Sequence, residues 1–267
     1  MPSRRRLKMF RQVRFETFCD HAAHGRLADV QRMLESGGLR GNGRLDDALK
    51  RAAENGHVDV VDCLLRHAMF DPSADDNCAI RLAALSGHLA VVERLLQDER
   101  VDPSARDNVA VLSAAFNGHL AVVERLLRDV RVDPSAREND AIRKAARNGH
   151  VAVVERLLED ERVNPSARDN YAVRSAAVYG HLAVVDRLLE DDRTDVAVAL
   201  RHLPPENRKR FECRERLTEI CIALQDLELP AWVTVQILDA ARPWSTLPLH
   251  SKWSLVCAVK HYHDKKQ

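Results

Sequence analysis

The dipeptide Gly-His recurs every 31 residues along most of this chain. The glycines that keep this interval, with one further step toward the N-terminus, are Gly25, Gly56, Gly87, Gly118, Gly149 and Gly180. A period of about 20 to 50 residues is typical of solenoid arrays, in which each unit packs only on its neighbours. Such arrays present an extended surface, so we expect binding of a partner ahead of catalysis.

One unit, residues 101–131, predicts two helices. Turn residues open it, and Asn108 stands directly before the first apolar stripe, where we expect it to cap the first helix. Gly118 is expected to end that helix in a left-handed conformation. The apolar positions at helical spacing are Ala110, Val111, Ala114 and Ala115 in the first helix and Leu120, Val122, Val123, Leu126 and Leu127 in the second.

The pattern AAxxGHxxVVxxLL in five successive units resembles the ankyrin repeat, and a looser copy covers residues 22–34. The resemblance implies an all-α solenoid of six helix-turn-helix units with a small C-terminal helical domain. We expect a basic lead-in over residues 1–14, the array over residues 15–200, and a three-helix domain or cap over residues 201–267.

Two features depart from the usual pattern of this family. The period is 31 residues, whereas the family has about 33, so we expect its protruding β-hairpin finger to be shortened to a plain turn. The usual Thr-Pro-Leu-His is replaced by Asn-x-Ala-x-Arg, as at Asn77, Ala79 and Arg81. The Asp-Pro-Ser-Ala turn is similar to arrays of large DNA viruses and of some protists and fungi.

The resemblance places the first helices on a concave face, and the positions that vary between units cluster there. Apolar, aromatic and basic residues at these positions are candidates for contact with a protein partner. The candidates are Leu85, Val109, Leu112, Phe116, Arg143, Arg147, Tyr171, Arg174, Val178 and Tyr179. The alternative is drift at positions that tolerate any residue.

Charged and ionisable residues also keep the period. We expect a ladder of alternating charge between stacked units from the residues Asp98, Asp129, Asp160 and Asp191 with Arg100, Arg131, Arg162 and Arg193. The repeated histidines are one layer apart, too far to share a metal ion, so we expect them to bridge turns.

No phosphate loop or hydrolase motif occurs. We therefore expect no cofactor, no metal and no enzymatic activity, with a Cys-His pair in the C-terminal segment as a remote alternative.

The C-terminal segment contains all three tryptophans and the sequence LPAWVTVQIL from residue 229. Its spacing resembles a degenerate F-box, the module that docks a substrate receptor onto a cullin-type ubiquitin ligase. The resemblance assigns docking to Leu229, Pro230, Val233, Ile237, Leu238 and Trp253. A SOCS-like box and a purely structural helical cap are the alternatives, and with a cap the chain would be a passive scaffold or sequestering protein.

The charge balance limits the classes of partner. Lys and Arg total 41 and Asp and Glu total 40, which gives no global attraction for nucleic acid or an anionic membrane. We expect a monomer with reduced cysteines inside a cell, in the cytoplasm or nucleus, or in a host cell if the chain is viral. The basic residues between Arg4 and Arg14 are interpreted as a solvated lead-in, with a nuclear-import signal or mitochondrial presequence as alternatives.

Overall fold

The computed structural model describes residues 4–36 and 45–194, and within these ranges it is all-helical. The predicted all-α solenoid of six helix-turn-helix units is confirmed. The helices are α1 (Arg4–Ala23), α2 (Leu27–Glu35), α3 (Asp46–Glu54), α4 (Val58–Leu65), α5 (Ala74–Ser86), α6 (Leu89–Leu96), α7 (Ala105–Asn117), α8 (Leu120–Leu127), α9 (Ala136–Arg147), α10 (Val151–Leu158), α11 (Ala167–Val178) and α12 (Leu182–Leu189).

Each unit contributes one odd-numbered and one even-numbered helix, so unit 1 is α1 and α2 and unit 6 is α11 and α12. First helices pack on the first helices of adjacent units, and second helices pack on second helices. Helix α1 begins at Arg4, so the helix of unit 1 already includes much of the stretch that we assigned to a lead-in. No helix in residues 4–36 or 45–194 is long and apolar enough to cross a membrane.

The core between the units is built from small and branched apolar side chains. Each first helix of units 2 to 6 buries a pair of alanines, and this absence of bulk lets neighbouring first helices approach closely. The second helices contribute a column of fully buried leucines, which is Leu64, Leu95, Leu126, Leu157 and Leu188. Burying each of these leucines contributes about 1.5–3 kcal/mol, so the period of the sequence is also the period of the stabilising layers.

The Gly-His turn connects each unit to the one before it. Gly118 has φ of 78°, and the ring of His150 from the next unit lies against it. The Nε2 of His150 donates a hydrogen bond to the carbonyl oxygen of Phe116 at 3.0 Å. The same bond links His57 to the carbonyl oxygen of Ala23 at 2.9 Å. The prediction that the repeated histidines bridge turns is therefore confirmed.

A left-handed turn precedes the regular part of four first helices. In unit 3, Asp75, Asp76 and Asn77 have φ of 52°, 57° and 58°. The equivalent residues of units 4 to 6 are Arg106 to Asn108, Arg137 to Asn139 and Arg168 to Asn170. A residue other than glycine costs about 1–2 kcal/mol in this conformation. The shortened connection is thus a left-handed turn, where we expected a plain one.

The asparagine that ends this turn connects consecutive units. Asn108 is buried, and its Oδ1 accepts a hydrogen bond of 2.8 Å from the backbone N–H of Asp133, 25 residues further on. Asn77 accepts in the same way from the backbone N–H of Asp102 at 2.7 Å. The prediction that these asparagines cap their own helices is wrong, because their side chains reach the next unit.

An arginine in the regular part of the same first helix stabilises the left-handed turn. The Nε of Arg81 donates to the carbonyl oxygen of Asp76 at 3.0 Å, and its Nη2 donates to that of Asp75 at 2.9 Å. Arg143 binds the carbonyl oxygens of Glu138 and Arg137 in the same way. These carbonyl groups have left-handed backbone on both sides, and a fixed guanidinium fork satisfies two of them at once.

The repeating Asp-x-Arg sequence forms a pair within one turn. Nε and Nη2 of Arg131 donate to the two carboxylate oxygens of Asp129 at 2.9 and 2.7 Å. The remaining Nη1 donates at 2.9 Å to the carbonyl oxygen of Val101, which lies in the equivalent turn one period earlier. The expected ladder between units is therefore wrong for these residues, because each ion pair is local and only the arginine reaches its neighbour.

Ion pairs between units do occur at the left-handed turns. Arg106 lies 3.6 Å from a carboxylate oxygen of Asp76, and Arg137 lies 3.6 Å from one of Asp107. Arg168 forms the equivalent pair with Glu138. All of these side chains are substantially exposed, so water and salt screen the pairs and each contributes little to stability.

The Asp-x-Arg pairs predict loss of stability in acid. Hydrogen bonding to Arg131 lowers the pKa of Asp129 below its ordinary value of 3.8. A carboxyl group whose pKa is lower in the folded state stabilises the fold above its unfolded pKa, and this stabilisation is lost as the pH falls through the lowered value. We expect Asp129→Asn to cost about 0.5–1 kcal/mol at neutral pH, because Arg131 is nearly half exposed.

Urea unfolding at about pH 7 and about pH 3 checks this prediction. The loss of unfolding free energy between the two pH values should be smaller in Asp129→Asn than in the unchanged chain. An equal loss in both proteins would show that this carboxylate does not contribute to the acid sensitivity.

Candidate functional site

The ends of the first helices of units 4 and 6 carry exposed apolar and aromatic side chains. Phe116 at the end of α7 is 44% exposed, Val178 at the end of α11 is 67% exposed, and Tyr179 directly after α11 is 53% exposed. The helices end here because the next turn needs the left-handed glycine. The turn thus fixes these side chains at the same end of the first helices of units 4 and 6, with Arg147 of unit 5 at the equivalent position between them.

Basic side chains lie over the aromatic rings of this surface. The guanidinium carbon of Arg147 is 5.1 Å from the centre of the Tyr179 ring, and that of Arg143 is 5.4 Å from the centre of the Tyr171 ring. We call this surface the cation–aromatic band, and it comprises Phe116, Lys144, Arg147, Tyr171, Arg174, Val178 and Tyr179. Such contacts contribute about 0.5–1 kcal/mol at exposed sites.

Hydrogen bonds connect the layers of the band. The Nη2 of Arg147 donates to the hydroxyl oxygen of Tyr179 at 2.9 Å. The Nδ2 of Asn148 donates to the carbonyl oxygen of Phe116 at 2.7 Å, at the same oxygen that His150 bonds. These bonds reduce the freedom of the exposed side chains, which lowers the entropy that a binding partner must remove.

Two of the predicted contact residues are buried by their own unit. Leu112 is only 2% exposed; it stands where other units have the turn-stabilising arginine, and it packs into the array. Arg143 is 8% exposed, because its guanidinium group turns back onto the carbonyl oxygens of Glu138 and Arg137. The predicted contact role of these two side chains is corrected to a structural one.

The remaining predicted contact residues are accessible to different degrees. Leu85, Phe116, Arg147, Val178 and Tyr179 are exposed, while Val109, Tyr171 and Arg174 are half-buried. The first helices bring Phe116, Arg147 and Tyr179 onto consecutive units. Leu85 belongs to unit 3 and has no cation–aromatic contact among the described residues.

Lys144 belongs to the band but was missed in the sequence. Its Nζ lies 6.0 Å from the centre of the Phe116 ring and 3.0 Å from a carboxylate oxygen of Asp140. The column that contains it reads Leu82, Ser113, Lys144 and Ser175. This column varies as much as those that we singled out, and that variation is the signal that could have identified it.

The described residues offer no group suited to metal binding. No three His, Cys, Asp or Glu side chains in residues 4–36 and 45–194 come close enough together to hold a metal ion. The cysteines in these ranges, Cys19, Cys63 and Cys78, form no disulfide. Burial raises the pKa of the Cys19 thiol to about 11, so this side chain is protonated at neutral pH and is a poor nucleophile.

The predicted ligase-docking residues lie outside the described residues. They are Leu229, Pro230, Val233, Ile237, Leu238 and Trp253. Their docking role stays a prediction from the sequence.

Comparison with known proteins identifies the repeat. A family model described as ankyrin repeats (3 copies) matches residues 18–107 and 111–198. These two segments together cover more than half of the chain and contain all six helix pairs apart from the beginning of α1 and residues 108–110 of α7. No curated protein matches the chain at a significant level.

Proposed function

This chain belongs to the ankyrin-repeat family, and on that basis we propose that it binds a protein partner through the cation–aromatic band. Ankyrin repeats are generally protein–protein interaction modules that act without catalysis. The observation that carries the proposal is the exposure of Phe116 in unit 4 and of Val178 and Tyr179 in unit 6, on either side of the basic side chains of unit 5. Aromatic residues and arginine are the residue types that dominate binding energy at protein interfaces.

The packing of the array supports this choice of surface. The buried alanine and leucine columns account for contact between units, and they do not require a large side chain at the end of the first helix. Phe116 occupies the position that is Leu85 in unit 3 and Arg147 in unit 5. Large side chains that the fold does not need, and that lie together in one band, favour contact with a partner.

Two exposed valines provide a matched test. We expect Val178→Asp to reduce capture of the partner by the full chain about tenfold or more, because a carboxylate would replace an apolar contact in the interface. The control is Val130→Asp, since Val130 is 94% exposed but lies in a turn away from the band. Quantitative mass spectrometry of proteins captured by the full chain and both variants measures the effect.

The comparison of the two variants decides the outcome. Proteins captured by the unchanged chain and by Val130→Asp, but lost with Val178→Asp, are partners of the band. Equal capture by both variants would contradict the proposal. Circular dichroism of each variant shows that the fold is retained.

We further propose that the C-terminal segment docks a cullin adaptor, which would make the chain a substrate receptor of a ubiquitin ligase. This proposal is supported by the F-box-like spacing of Leu229, Pro230, Val233, Ile237, Leu238 and Trp253. We also propose that the array is related to viral arrays, because its Asp-Pro-Ser-Ala units are similar to theirs. As part of the same proposal, the protein acts inside a cell. A passive scaffold with a structural C-terminal cap is the alternative.

The same capture experiment tests the second proposal. A variant with both Leu229 and Pro230 replaced by alanine should lose the cullin adaptor and keep the partner of the band. A full chain that never captures a cullin or its adaptor would favour the passive scaffold.

A further inference from the structure

The regular parts of the first helices of units 3 to 6, which follow the left-handed turns, carry a local excess of positive charge. The basic residues in residues 78–86, 109–117, 140–148 and 171–179 are Arg81, Arg143, Lys144, Arg147 and Arg174, and the acidic residue is Asp140. The whole chain, by contrast, has 41 basic and 40 acidic residues. The charge on this face is therefore a local feature that the composition of the chain does not explain.

The single acidic residue of these segments, Asp140, already forms ion pairs. Carboxylate oxygens of Asp140 lie 3.0 Å from Nη2 of Arg143 and 3.0 Å from Nζ of Lys144. Acids of the neighbouring left-handed turns pair with the arginine of the next turn, as Glu138 does with Arg168. Within the described part of the chain, Arg147 and Arg174 form no ion pair with a carboxylate.

The two unpaired guanidinium groups are oriented by tyrosines. Arg147 lies over the ring of Tyr179 and bonds its hydroxyl oxygen, and the guanidinium carbon of Arg174 is 6.0 Å from the centre of the Tyr171 ring. A guanidinium group has five N–H donors, so most of those on Arg147 remain available. A stacked guanidinium group can bind a carboxylate through two parallel hydrogen bonds.

Apolar side chains flank these groups on both sides. Phe116 lies one unit before Arg147, and Val178 lies in the same helix as Arg174. The band thus offers two anion sites on adjacent units, with apolar surface beside them. Two cations on a chain of net charge +1 give little attraction for a nucleic-acid backbone.

We infer that the segment bound by the cation–aromatic band is an acidic peptide, with one carboxylate on Arg147, a second on Arg174, and an apolar side chain against Phe116 or Val178. This inference rests on the proposed function and specifies the chemistry of the partner. The apolar contact supplies affinity, and the carboxylates supply orientation and selection against basic sequences.

Selection from a random peptide display library on the full chain is the first test. We expect the selected peptides to be enriched in Asp and Glu next to apolar residues. Their affinity, measured by fluorescence anisotropy, should fall as NaCl is raised from about 0.05 M to about 0.5 M, because salt screens exposed charge pairs. Selected peptides without acidic residues, or no selected peptide at all, would overturn the inference.

Charge reversal is the second test. We expect Arg147→Glu together with Arg174→Glu to weaken the selected acidic peptides by about tenfold or more, and a peptide with lysines in place of its acids to regain affinity for this variant. The control is Arg128→Glu, since Arg128 is exposed at the end of the second helix α8. Equal effects of the control and the double variant would overturn the inference.

The variants separate this inference from the proposed function. If Val178→Asp abolishes peptide binding and charge reversal leaves it unchanged, the band binds proteins but the acidic specificity is wrong. If neither substitution changes binding, both ideas fail. Binding of a uridine homopolymer or an anionic phospholipid vesicle that depends on Arg147, without any peptide binding, would assign the band to another class of ligand.

Discussion

Replacing Gly118 by alanine is expected to lower the free energy of unfolding by about 2–5 kcal/mol. Two penalties add at this position. The backbone has φ of 78°, which costs an alanine about 1–2 kcal/mol. A Cβ would also lie 2.5 Å from Nδ1 of His150, so the ring must move and lose its bond to the carbonyl oxygen of Phe116. Urea unfolding followed by far-ultraviolet circular dichroism measures the loss.

Gly180 provides a control in the same chain. It has the same φ of 78°, but no atom of residues 4–36 or 45–194 lies within 4 Å of the position that its Cβ would take. Gly180→Ala should therefore pay only the backbone cost, about 1–2 kcal/mol. Equal losses at Gly118 and Gly180 would show that the histidine contact does not limit the residue at this turn.

A double substitution isolates the histidine further. In a His150→Ala background the ring is absent, so Gly118→Ala should cost no more than Gly180→Ala does. The coupling between Gly118 and His150 is the difference between the cost of Gly118→Ala with and without the ring. A coupling near zero would contradict the proposed steric conflict.

Replacing Asn108 by alanine is expected to cost about 2–4 kcal/mol. The substitution removes the acceptor for the backbone N–H of Asp133 in the next unit, and an unsatisfied N–H at a partly buried site costs about 1–3 kcal/mol. It also places alanine at φ of 65°, a conformation that asparagine tolerates better than alanine. The same unfolding measurement applies.

Glycine and aspartate at the same position separate the two causes. Asn108→Gly removes the bond but accepts the positive φ, so it should cost less than Asn108→Ala. Asn108→Asp keeps an oxygen acceptor and should be the mildest of the three. If alanine and glycine cost the same, backbone strain contributes nothing measurable at this residue.

The regular part of the fold could be predicted because one pattern repeats. Apolar residues at helical spacing predict both helices of each unit, and the invariant Gly-His predicts the turn between them. Buried alanines and leucines occur where the stripes place them. Because the pattern occurs in several copies, it assigns the two helices with less ambiguity than a single copy would.

The left-handed turns could not be predicted with the same means. Asparagine and aspartate, which favour positive φ, occupy one to three positions of each turn. These types are also common in ordinary turns, and arginine or glutamate at the other positions gives no hint. The conformation is fixed by contacts from other parts of the chain, including the fork of Arg81 onto the carbonyl oxygens of Asp75 and Asp76. Such tertiary contacts are not visible as a local preference.

The candidate site was predicted in outline, and its errors have one cause. Comparing columns identifies positions that vary, but variation does not reveal which way a long side chain turns. Leu112 and Arg143 vary between units and yet are buried, whereas Lys144 varies and lies on the surface of the band. The direction of these side chains depends on the left-handed turn beside them, which the sequence did not predict.

The identical junctions of the array have a consequence for its evolution. Units 3 to 6 are joined by the same three connections, a histidine against the preceding glycine, an asparagine to the following backbone, and an arginine to the preceding carbonyl group. Unequal recombination that duplicates or deletes one whole 31-residue period therefore recreates every junction. The gene can change the number of layers in this way, and each such event re-spaces Arg147 and Arg174 or adds a new pair, so ligand preference can change while the fold is retained.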